Sequence, residues 1–235
     1  MGLPIEKVPR ISVVVPVYNE RAAVLTVLDR VRSVALDLEL IVVDDGSTDG
    51  TREALERERP RIDHLILQDR NRGKGAALKA GFAVATGDVI VIQDADLEYD
   101  PHDFRDLLHP IMAAGADLVL GSRMTGAKPV RAYYYWHYIG NRFITFIARI
   151  LYNTTLSDIY TCYKMFRREQ LEGLNINSDG FEFDAEFLAK LLKRNLVVFE
   201  VPIAYYGRSY EEGKKIRWHH TFRVIWNLLR YRFAA

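Results

Sequence analysis

Three acidic side chains follow directly after an uninterrupted aliphatic run, and this feature limits the possible folds of the chain most strongly. The run is Val89-Ile90-Val91-Ile92, and Asp94, Asp96 and Glu98 follow it at two-residue spacing. Such a run predicts a strand buried on both faces, whose carboxyl end opens into the crevice where α/β sheets bind ligands. Alternation along an extended segment would point the three carboxylates to one side, where they can share a divalent cation. A solvated acidic turn is the alternative.

Two earlier apolar runs also end in polar side chains. Residues 11–16 are followed by Tyr18 and Glu20, and residues 38–43 by Asp44 and Asp45. Helical periodicity predicts helices at residues 22–34, 51–59, 75–85 and 103–114. Strands alternating with helices predict an α/β fold in which helices flank a mostly parallel sheet. The polar strand ends would then lie along one edge of that sheet.

The composition limits the classes of protein to which the chain can belong. Its 235 residues are 49% apolar, so we expect one extended domain over residues 1–235. A net charge of +1 gives no support to nucleic-acid binding, which needs a basic surplus or stripe. The single cysteine, Cys162, excludes an internal disulfide and a multi-cysteine zinc site, and fits a reducing compartment. Residues 1–10 lack the apolar core of a secretory signal.

The chain changes character after Gly121, where basic and aromatic residues become frequent. Residues 143–152 form an apolar helix candidate, but Arg149 interrupts it, and no run reaches the ~20 apolar residues of a membrane span. An interfacial surface is predicted instead, with a second amphipathic helix at residues 218–233. Core-facing helices are the alternative, because they have the same pattern. The predicted surface comprises Trp136, Phe143, Ile144, Phe146, Ile147, Ile150 and Leu151 beside Arg131, Arg142 and Arg149, with Arg217, Arg223, Arg230 and Arg232 near the end of the chain.

Five motifs carry a resemblance to a known family. They are Val15-Pro16-Val17-Tyr18-Asn19-Glu20, Val43-Asp44-Asp45-Gly46-Ser47-Thr48-Asp49, Asp94-Ala95-Asp96, Gly121-Ser122-Arg123 and Thr161-Cys162-Tyr163-Lys164. In order and spacing they resemble family 2 glycosyltransferases of the GT-A fold, of the dolichyl-phosphate mannose synthase type. The resemblance implies a Rossmann-like sheet, a nucleotide-sugar-binding half in residues 1–120 and an acceptor-binding half in residues 121–235.

The resemblance implies a donor site at the polar strand ends. Asp94 and Asp96 would hold Mg²⁺ or Mn²⁺ with the donor diphosphate, and Glu98 would be a third metal ligand where mannose synthases often carry Gln. The metal would neutralise the charge of the departing diphosphate. The implied donor ligands are Pro16, Tyr18, Glu20, Val43, Asp45, Asp94, Ala95, Asp96, Arg123, Arg208 and Lys214. Turn and helix-start chemistry is an alternative role for Asp44 and Asp45.

The same resemblance assigns the acceptor to the second half. Its implied ligands are Arg123, His137, Asn141 and Lys164. His137 stands where Arg is frequent in the mannose synthases, which would weaken the phosphate clamp or make it pH-sensitive. An interfacial histidine among aromatic side chains is the alternative.

A charged, glycine-flanked segment at residues 206–215 resembles a mobile loop of this family that closes over the donor and acceptor phosphates. Arg208 and Lys214 are therefore predicted to act with Asp96 and Arg123 in catalysis, behind a lid that excludes water. The loop at residues 71–77 has the composition of a phosphate-binding loop without the Walker spacing. We interpret it as a turn or helix cap and not as an ATP site.

The resemblance implies inverting transfer of a sugar from GDP-mannose or a UDP-hexose to dolichyl or undecaprenyl phosphate. The expected location is the cytoplasmic face of a membrane, peripherally or through a membrane-protein partner or a homo-oligomer. A lipid phosphate has a second pKa near ~6 and is its own anionic nucleophile. The alternative is metal-dependent transfer to a soluble or glycan hydroxyl, with Glu182, Asp184 or Glu186 as the base. A non-catalytic nucleotide-sugar or phospholipid binder is disfavoured, because the metal carboxylates and basic ligands are all present.

Overall fold

The computed structural model describes residues 8–131, 134–209, 211 and 220–233, with backbone alone at residues 220–222, and in these ranges it has seven strands and seven α-helices. The strands are β1 Ile11–Val17, β2 Leu38–Asp44, β3 His64–Leu67, β4 Val89–Ile92, β5 Leu118–Ser122, β6 Lys164–Arg167 and β7 Val198–Pro202. The helices are α1 Val24–Ser33, α2 Thr51–Arg57, α3 Lys74–Val84, α4 Phe104–Ala114, α5 Tyr135–Tyr152, α6 Phe183–Leu192 and α7 His220–Phe233.

One sheet contains all seven strands in the order β3-β2-β1-β4-β6-β5-β7. Only β6 runs antiparallel to its neighbours, so the prediction of an α/β fold with a mostly parallel sheet is confirmed. In the central register, Val14 lies beside Ile41 of β2 and Ile92 of β4. The carboxyl ends of β1, β2 and β4 therefore meet at one edge, where α/β sheets bind ligands.

Each face of the sheet has its own apolar core. Val13 and Val15 of β1 pack with residues of α1 and α4, such as Leu28 and Phe104. The intervening Val14 packs on the other face with residues of α3, α5, α6 and α7. Alternate side chains thus point to opposite buried faces, which explains why β1 is a continuous apolar run.

The predicted elements of the first half were placed well. The strands beginning at Ile11, Leu38 and Val89 are present, and α1 to α4 begin and end within two residues of the predicted ranges. Helix α5 begins at Tyr135, eight residues before the predicted start. The sequence reasoning did not identify β3, β5, β6, β7 or α6.

Candidate active site

Most of the predicted site residues line one cavity of about 1270 Å³ at the carboxyl edge of the sheet. One end is lined by the turns after β1, β2 and β4, and the other by the first half of α5. The cavity therefore joins the predicted donor region to the predicted acceptor region. The predicted residues that line it are Pro16, Tyr18, Glu20, Asp45, Asp94, Ala95, Asp96, Glu98, Arg123, His137, Asn141 and Arg208.

Two predicted ligands do not line this cavity. Val43 is fully buried within the core on the α3 face. Lys164 is fully buried on β6, where its ammonium lies 2.7 Å from the Asp184 carboxylate and also donates to the Thr161 carbonyl. The expectation that the Lys164 side chain faces an acceptor is therefore corrected: it neutralises an internal acid. Lys214 lies outside the described residues.

The acidic segment after β4 does not stay extended. The strand ends at Ile92, and Leu97 has φ of +64°, so the chain turns between Asp94 and Glu98. The prediction that simple alternation would align the three carboxylates was wrong, because they lie in a turn and not in an extended segment. Asp94 lies 2.7 Å from the ammonium of Lys74, the first residue of α3.

Asp96 lies among other charges at the centre of the donor end. Burial, together with the negative charges of Asp94 and Glu98, raises its pKa to about 7, although Arg208 acts in the opposite direction. The Arg208 guanidinium lies 3.1 Å from Asp96 and contacts both carboxylate oxygens of Glu20, at 3.0 and 3.1 Å. Its Nε is buried without a hydrogen-bond partner among the described residues. Arg208 thus joins the turns that follow β1 and β4.

Glu98 uses both of its carboxylate oxygens within the protein. Oε2 accepts from the Tyr205 hydroxyl at 2.7 Å, and Oε1 accepts from the Arg208 backbone N–H at 2.7 Å. Its backbone carbonyl accepts from the Tyr206 N–H at 2.9 Å. Glu98 therefore binds the chain segment that carries Arg208.

A divalent cation fits this donor end through two protein carboxylates. Within the described ranges, no three His, Cys, Asp or Glu side chains lie together as a complete metal site. Asp94 and Asp96 line the same cavity. Mg²⁺ commonly takes one or two carboxylates and completes its shell with substrate phosphates and water. A cation held by Asp94 and Asp96 would offset the repulsion that raises the pKa of Asp96.

Asp45 fixes the loop before α3. Its carboxylate accepts from the backbone N–H groups of Arg72 at 2.7 Å and Gly73 at 2.9 Å, and burial raises its pKa. Gly73 has φ of +100°, and a Cβ there would collide with the Asp179 carbonyl, so the loop requires glycine at this position. The interpretation of residues 71–77 as a turn and helix start agrees with this structure.

Arg123 and Asn141 are held at the acceptor end by one buried acid. Asp158 accepts from Arg123 Nε at 2.7 Å and Nη2 at 2.8 Å, and from Asn141 Nδ2 at 2.8 Å. Burial acts to raise the pKa of Asp158, but the charge of Arg123 and the hydrogen bonds from Arg123 and Asn141 together lower that pKa. The Arg123 guanidinium also lies 4.9 Å from the centre of the Tyr205 ring, a cation–π distance. Arg123 is thus fixed against the cavity wall.

The three candidate bases do not line the cavity. Asp184 is paired with Lys164, and Glu186 accepts from the backbone N–H groups of Asn177 and Ser178 at 2.9 and 2.7 Å. Burial would raise the pKa of Glu186, but these bonds and Lys190 lower it to about 2. Asp184 and Glu186 therefore serve internal contacts, while Glu182 stands at the N-cap of α6.

Helix α5 has two apolar faces. Ile144 and Ala148 are buried against the sheet, whereas Trp136, Phe146 and Ile150 are 78%, 58% and 67% exposed. The exposed apolar residues of α5 recur every three or four positions and form one stripe, Trp136, Ile139, Phe143, Phe146 and Ile150. Neighbouring α7 exposes Trp226, Leu229 and Phe233. Among the helices that the structure describes, none has both the length and the apolar content to cross a bilayer.

Sequence reasoning did not assign every residue that lines the cavity to the site. Lys74, Tyr99 and Tyr205 all face it. The Gly73-Lys74-Gly75 pattern was a usable signal for Lys74, because it places a cation at the start of a helix beside the sheet edge. The tyrosines carry no comparable local pattern, since chain segments far apart in sequence bring them together, with ring centres 5.3 Å apart.

Comparison with known proteins gives a consistent set of relatives. The family model described as "Glycosyl transferase family 2" matches residues 12–174. The polyprenol monophosphomannose synthase of Mycolicibacterium smegmatis is 32% identical, over 88% of this chain and 83% of that protein. The dolichol-phosphate mannosyltransferase of Pyrococcus furiosus is 29% identical, over 94% of this chain and 64% of that protein.

Other matches extend beyond this chain or show the fold alone. The low-salt glycan biosynthesis hexosyltransferase Agl6 of Haloferax volcanii is 28% identical over 97% of this chain, which spans 56% of that relative. Glucosyl-3-phosphoglycerate synthase of Mycobacterium tuberculosis, solved with Mn²⁺, uridine diphosphate and phosphoglyceric acid, superposes with a TM-score of 0.75 at 22% identity. That match covers 97% of this chain and 80% of the solved one.

Proposed function

This chain belongs to glycosyl transferase family 2 and has the GT-A fold, and from that premise we propose that it transfers a sugar from a nucleotide-diphosphate sugar to a polyprenyl phosphate. One observation carries the choice of acceptor. Among the described residues that line the cavity, every carboxylate belongs to the turns after β1, β2 and β4, at the donor end. The acceptor end therefore offers no carboxylate among the described residues to take a proton from an acceptor hydroxyl. An acceptor whose attacking oxygen is already anionic does not require such a base.

The donor end suits a nucleoside diphosphate with a divalent cation. Asp94 and Asp96 would hold Mg²⁺ or Mn²⁺, which when bound neutralises charge on the departing diphosphate. Glu20, Asp45 and the turn at Pro16 and Tyr18 offer the remaining wall for the nucleoside. The solved mycobacterial synthase, which holds Mn²⁺ and uridine diphosphate, supports this arrangement.

The reaction requires orientation of two anions more than proton transfer. An oxygen of the lipid phosphate forms a bond to the anomeric carbon, while the bond from that carbon to the diphosphate oxygen breaks, which inverts the anomeric configuration. With a second pKa near ~6, the phosphate is already largely deprotonated at neutral pH. Arg123 and Arg208 lie on the cavity wall where they can hold the two anions close together.

The lipid part of the acceptor suits the exposed side of α5. Tyr135, Trp136 and Tyr138 line the acceptor end of the cavity and are also exposed on the surface. A phosphate inside the cavity could thus continue into a chain lying along the apolar stripe of α5, at a membrane surface. The names of the mycobacterial and archaeal relatives support a polyprenol-linked acceptor.

A donor and acceptor screen tests this function. GDP-mannose and UDP-glucose are each supplied with Mn²⁺ and either undecaprenyl phosphate, dolichyl phosphate or 3-phosphoglycerate, and the products are identified by mass. We expect a glycosylated polyprenyl phosphate. Glycosylation of 3-phosphoglycerate or a free sugar hydroxyl, without any lipid product, would favour the soluble-acceptor alternative.

Metal dependence is tested in the same assay. We expect Asp96→Ala and exhaustive chelation each to abolish transfer, because both remove the charge that offsets the leaving diphosphate. The thermal midpoint of the variant should stay close to that of the wild type, since Asp96 contributes no core volume. Full activity after chelation would contradict a metal-assisted mechanism.

A further inference from the structure

The loop between α5 and β6 carries the acid that holds Arg123 and Asn141. Residues 153–163, all of which the structure describes, contain neither a helix nor a strand, so side chains must fix the direction of Asp158. The Asp158 carboxylate is fully buried and accepts from the Arg123 backbone N–H at 3.1 Å, as well as from the side chains of Arg123 and Asn141. The direction of the Arg123 guanidinium therefore depends on where this loop is held.

Glu200 of β7 binds this loop through its backbone. Its Oε1 accepts from the N–H groups of Ser157 and Asp158 at 2.9 Å each, and its Oε2 also accepts from the Ser157 N–H at 2.9 Å. In the parallel register Glu200 lies beside Leu120 of β5, whose side chain packs on the face of the sheet that α5 covers. The Glu200 side chain points to that same face, where the loop leaves α5. Glu200 is half-buried and does not line the cavity, so it reaches the site only through the loop.

A second contact joins the same loop to the residue that precedes Arg123. The hydroxyls of Ser157 and Ser122 lie 2.8 Å apart, and the Ser122 hydroxyl also accepts from the Met124 N–H at 3.1 Å. Ser122 is the last residue of β5. The loop is thus fixed from two neighbouring strands, by Glu200 on β7 and by Ser122 on β5. Without Glu200, the Ser157 and Asp158 N–H groups would lose their acceptor, and one of the two attachments of the loop would be lost.

We propose that Glu200 is a positioning residue for acceptor binding, because it holds the backbone of Ser157 and Asp158 so that the Asp158 carboxylate directs Arg123 along the cavity wall. The inference rests on the proposed glycosyl transfer, in which Arg123 binds the acceptor phosphate. Asp158 occupies the Nε and Nη2 edge of the guanidinium, which leaves other donors of Arg123 to face the cavity that it lines. A guanidinium fixed in this way is already oriented for an anion.

Two variants of similar side-chain length separate hydrogen bonding from packing. Glu200→Met keeps the length of the side chain but removes both carboxylate oxygens, whereas Glu200→Gln retains one carbonyl oxygen that can accept from the loop. The matched control is Asp117→Ala. Asp117 is also half-buried and accepts the Val197 backbone N–H at 2.8 Å, but it lies at the opposite end of the sheet, before β5 begins. Its loss removes the same kind of bond without touching the loop.

The first measurement follows the Arg123 side chain in the absence of donor and acceptor. Nuclear magnetic resonance detects the arginine Nε–H groups, and the Arg123 signal is identified by its absence in Arg123→Lys. We expect exchange of this proton with water to accelerate about tenfold or more in Glu200→Met and to stay within about threefold of the wild type in Glu200→Gln. Exchange in Asp117→Ala should equal that of the wild type.

The second measurement compares the kinetic constants for the two substrates. With undecaprenyl phosphate as the acceptor, we expect Glu200→Met to raise the KM for the lipid phosphate by about tenfold, with the KM for the donor changed by less than about twofold. Glu200→Gln should recover most of this loss. Asp117→Ala should retain both KM values, even where its thermal midpoint falls as far as that of Glu200→Met.

Unchanged exchange of the Arg123 proton in Glu200→Met, or an equal change in Asp117→Ala, would overturn the inference. Equal increases in the KM values for donor and acceptor would also contradict it, because a general loss of structure affects both substrates. If Glu200→Met does not fold, Glu200→Asp decides the question: its carboxylate is one methylene shorter, so exchange identical to the wild type would exclude a positioning role. The exchange measurement uses neither substrate. A wild type that makes no lipid product would therefore refute the proposed function, while the Arg123 signal still decides the role of Glu200.

Discussion

The groups around each buried carboxylate determine its pKa, and the pKa in turn indicates whether the carboxylate stabilises the fold or belongs to the site. Glu39 accepts hydrogen bonds from Ser12, Thr86 and Gly87, which lower its pKa to about 2 even though burial acts to raise it. Asp96 is also buried but faces two further acids, and its pKa is raised to about 7. A buried carboxylate that accepts hydrogen bonds from the protein stabilises the fold in its ionised form. A buried carboxylate beside other acids is ionised more readily when a cation binds next to it.

The Glu39 hydrogen bonds predict an acid-dependent part of the stability. The pKa of Glu39 falls from its ordinary value of 4.5 to about 2 on folding, so its stabilisation is complete above pH 4.5 and is lost as the pH falls toward 2. We expect Glu39→Gln to lower the free energy of unfolding by about 1–3 kcal/mol at pH 7 and to reduce its pH dependence between those values. Urea unfolding at several pH values measures this. Glu56→Gln is the exposed control, and an equal pH dependence in Glu39→Gln and the wild type would contradict the prediction.

The buried pair of Asp158 and Arg123 predicts a coupled loss of stability and activity. Asp158→Asn leaves the Arg123 guanidinium without its counter-ion, which we expect to destabilise the fold by about 3–5 kcal/mol and to lower kcat/KM. Asp106 pairs with Lys128 at the surface and is 54% exposed, so Asp106→Asn should cost less than about 1 kcal/mol. Thermal and urea unfolding compare the two variants. A similar decrease in the free energy of unfolding in both variants would contradict the prediction that the buried Asp158–Arg123 pair contributes more stability than the surface pair.

At the level of single residues, the sequence predicted most of the side chains that line the cavity. It did not always predict which of them are already paired with other residues of the protein. Twelve predicted residues line the cavity, and those in the turns after β1, β2 and β4 were predictable because the carboxyl ends of parallel strands meet at one edge of the sheet. His137 and Asn141 lie on α5 instead, and only the family resemblance indicated them. Lys164 was misassigned because its partner Asp184 lies on α6, and an ion pair between distant segments has no local pattern. Glu98 lines the cavity, and its hydrogen bonds with Tyr205 and Arg208 had no local pattern either, because those residues are distant in sequence.

Among the helices, α5 combines a buried face with an exposed apolar stripe and contributes to the cavity wall. Gly140 lies in its first half and lines the cavity. A Cβ at Gly140 would meet nothing within 4 Å, so the position has no steric need for glycine. Glycine weakens a helix interior relative to alanine.

Gly140→Ala should therefore stabilise the protein by about 0.5–1 kcal/mol in urea unfolding. Because the new methyl group enters the acceptor end of the cavity, we expect the KM for polyprenyl phosphate to rise. Gly173→Ala is the matched control: Gly173 also has an open environment, but its φ of +64° is unfavourable for alanine, so this variant should lose stability. Destabilisation by Gly140→Ala would contradict the assignment of a regular helix there.

The secondary-structure elements were predictable where the residue types of a segment match its position in the fold, as aliphatic residues match a buried strand. Strands β1, β2 and β4 are aliphatic and are buried almost throughout, so short runs identified them. Strand β6 is Lys-Met-Phe-Arg, with a charged residue at each end, and it belongs to the sheet because β4 and β5 flank it. Helix α5 begins eight residues before its predicted start, because the prediction followed the apolar run from Phe143 and left out the exposed aromatic residues that precede it.

Over the whole molecule, charge is distributed unevenly despite a net value of +1. Neither α5 nor α7 contains an acidic residue, and each carries arginines beside its exposed apolar side chains. The two helices are joined by the Tyr152 hydroxyl, which donates to the Leu228 carbonyl at 2.6 Å. A basic, apolar surface of this kind is complementary to an anionic lipid headgroup layer.

This surface predicts binding to anionic vesicles that weakens in salt. We expect the wild type to float with vesicles containing phosphatidylglycerol, less so with neutral vesicles, and less again at high ionic strength, because salt screens the arginine contacts. The double variant Trp136→Ser and Phe146→Ser removes two members of the α5 stripe that are 78% and 58% exposed, so it should lose flotation while keeping its thermal midpoint. Phe199→Ser alters an exposed aromatic residue on β7 and is the matched control. Equal flotation of all three proteins would assign membrane contact to another surface, and absence of flotation by the wild type would remove the membrane from the proposed function.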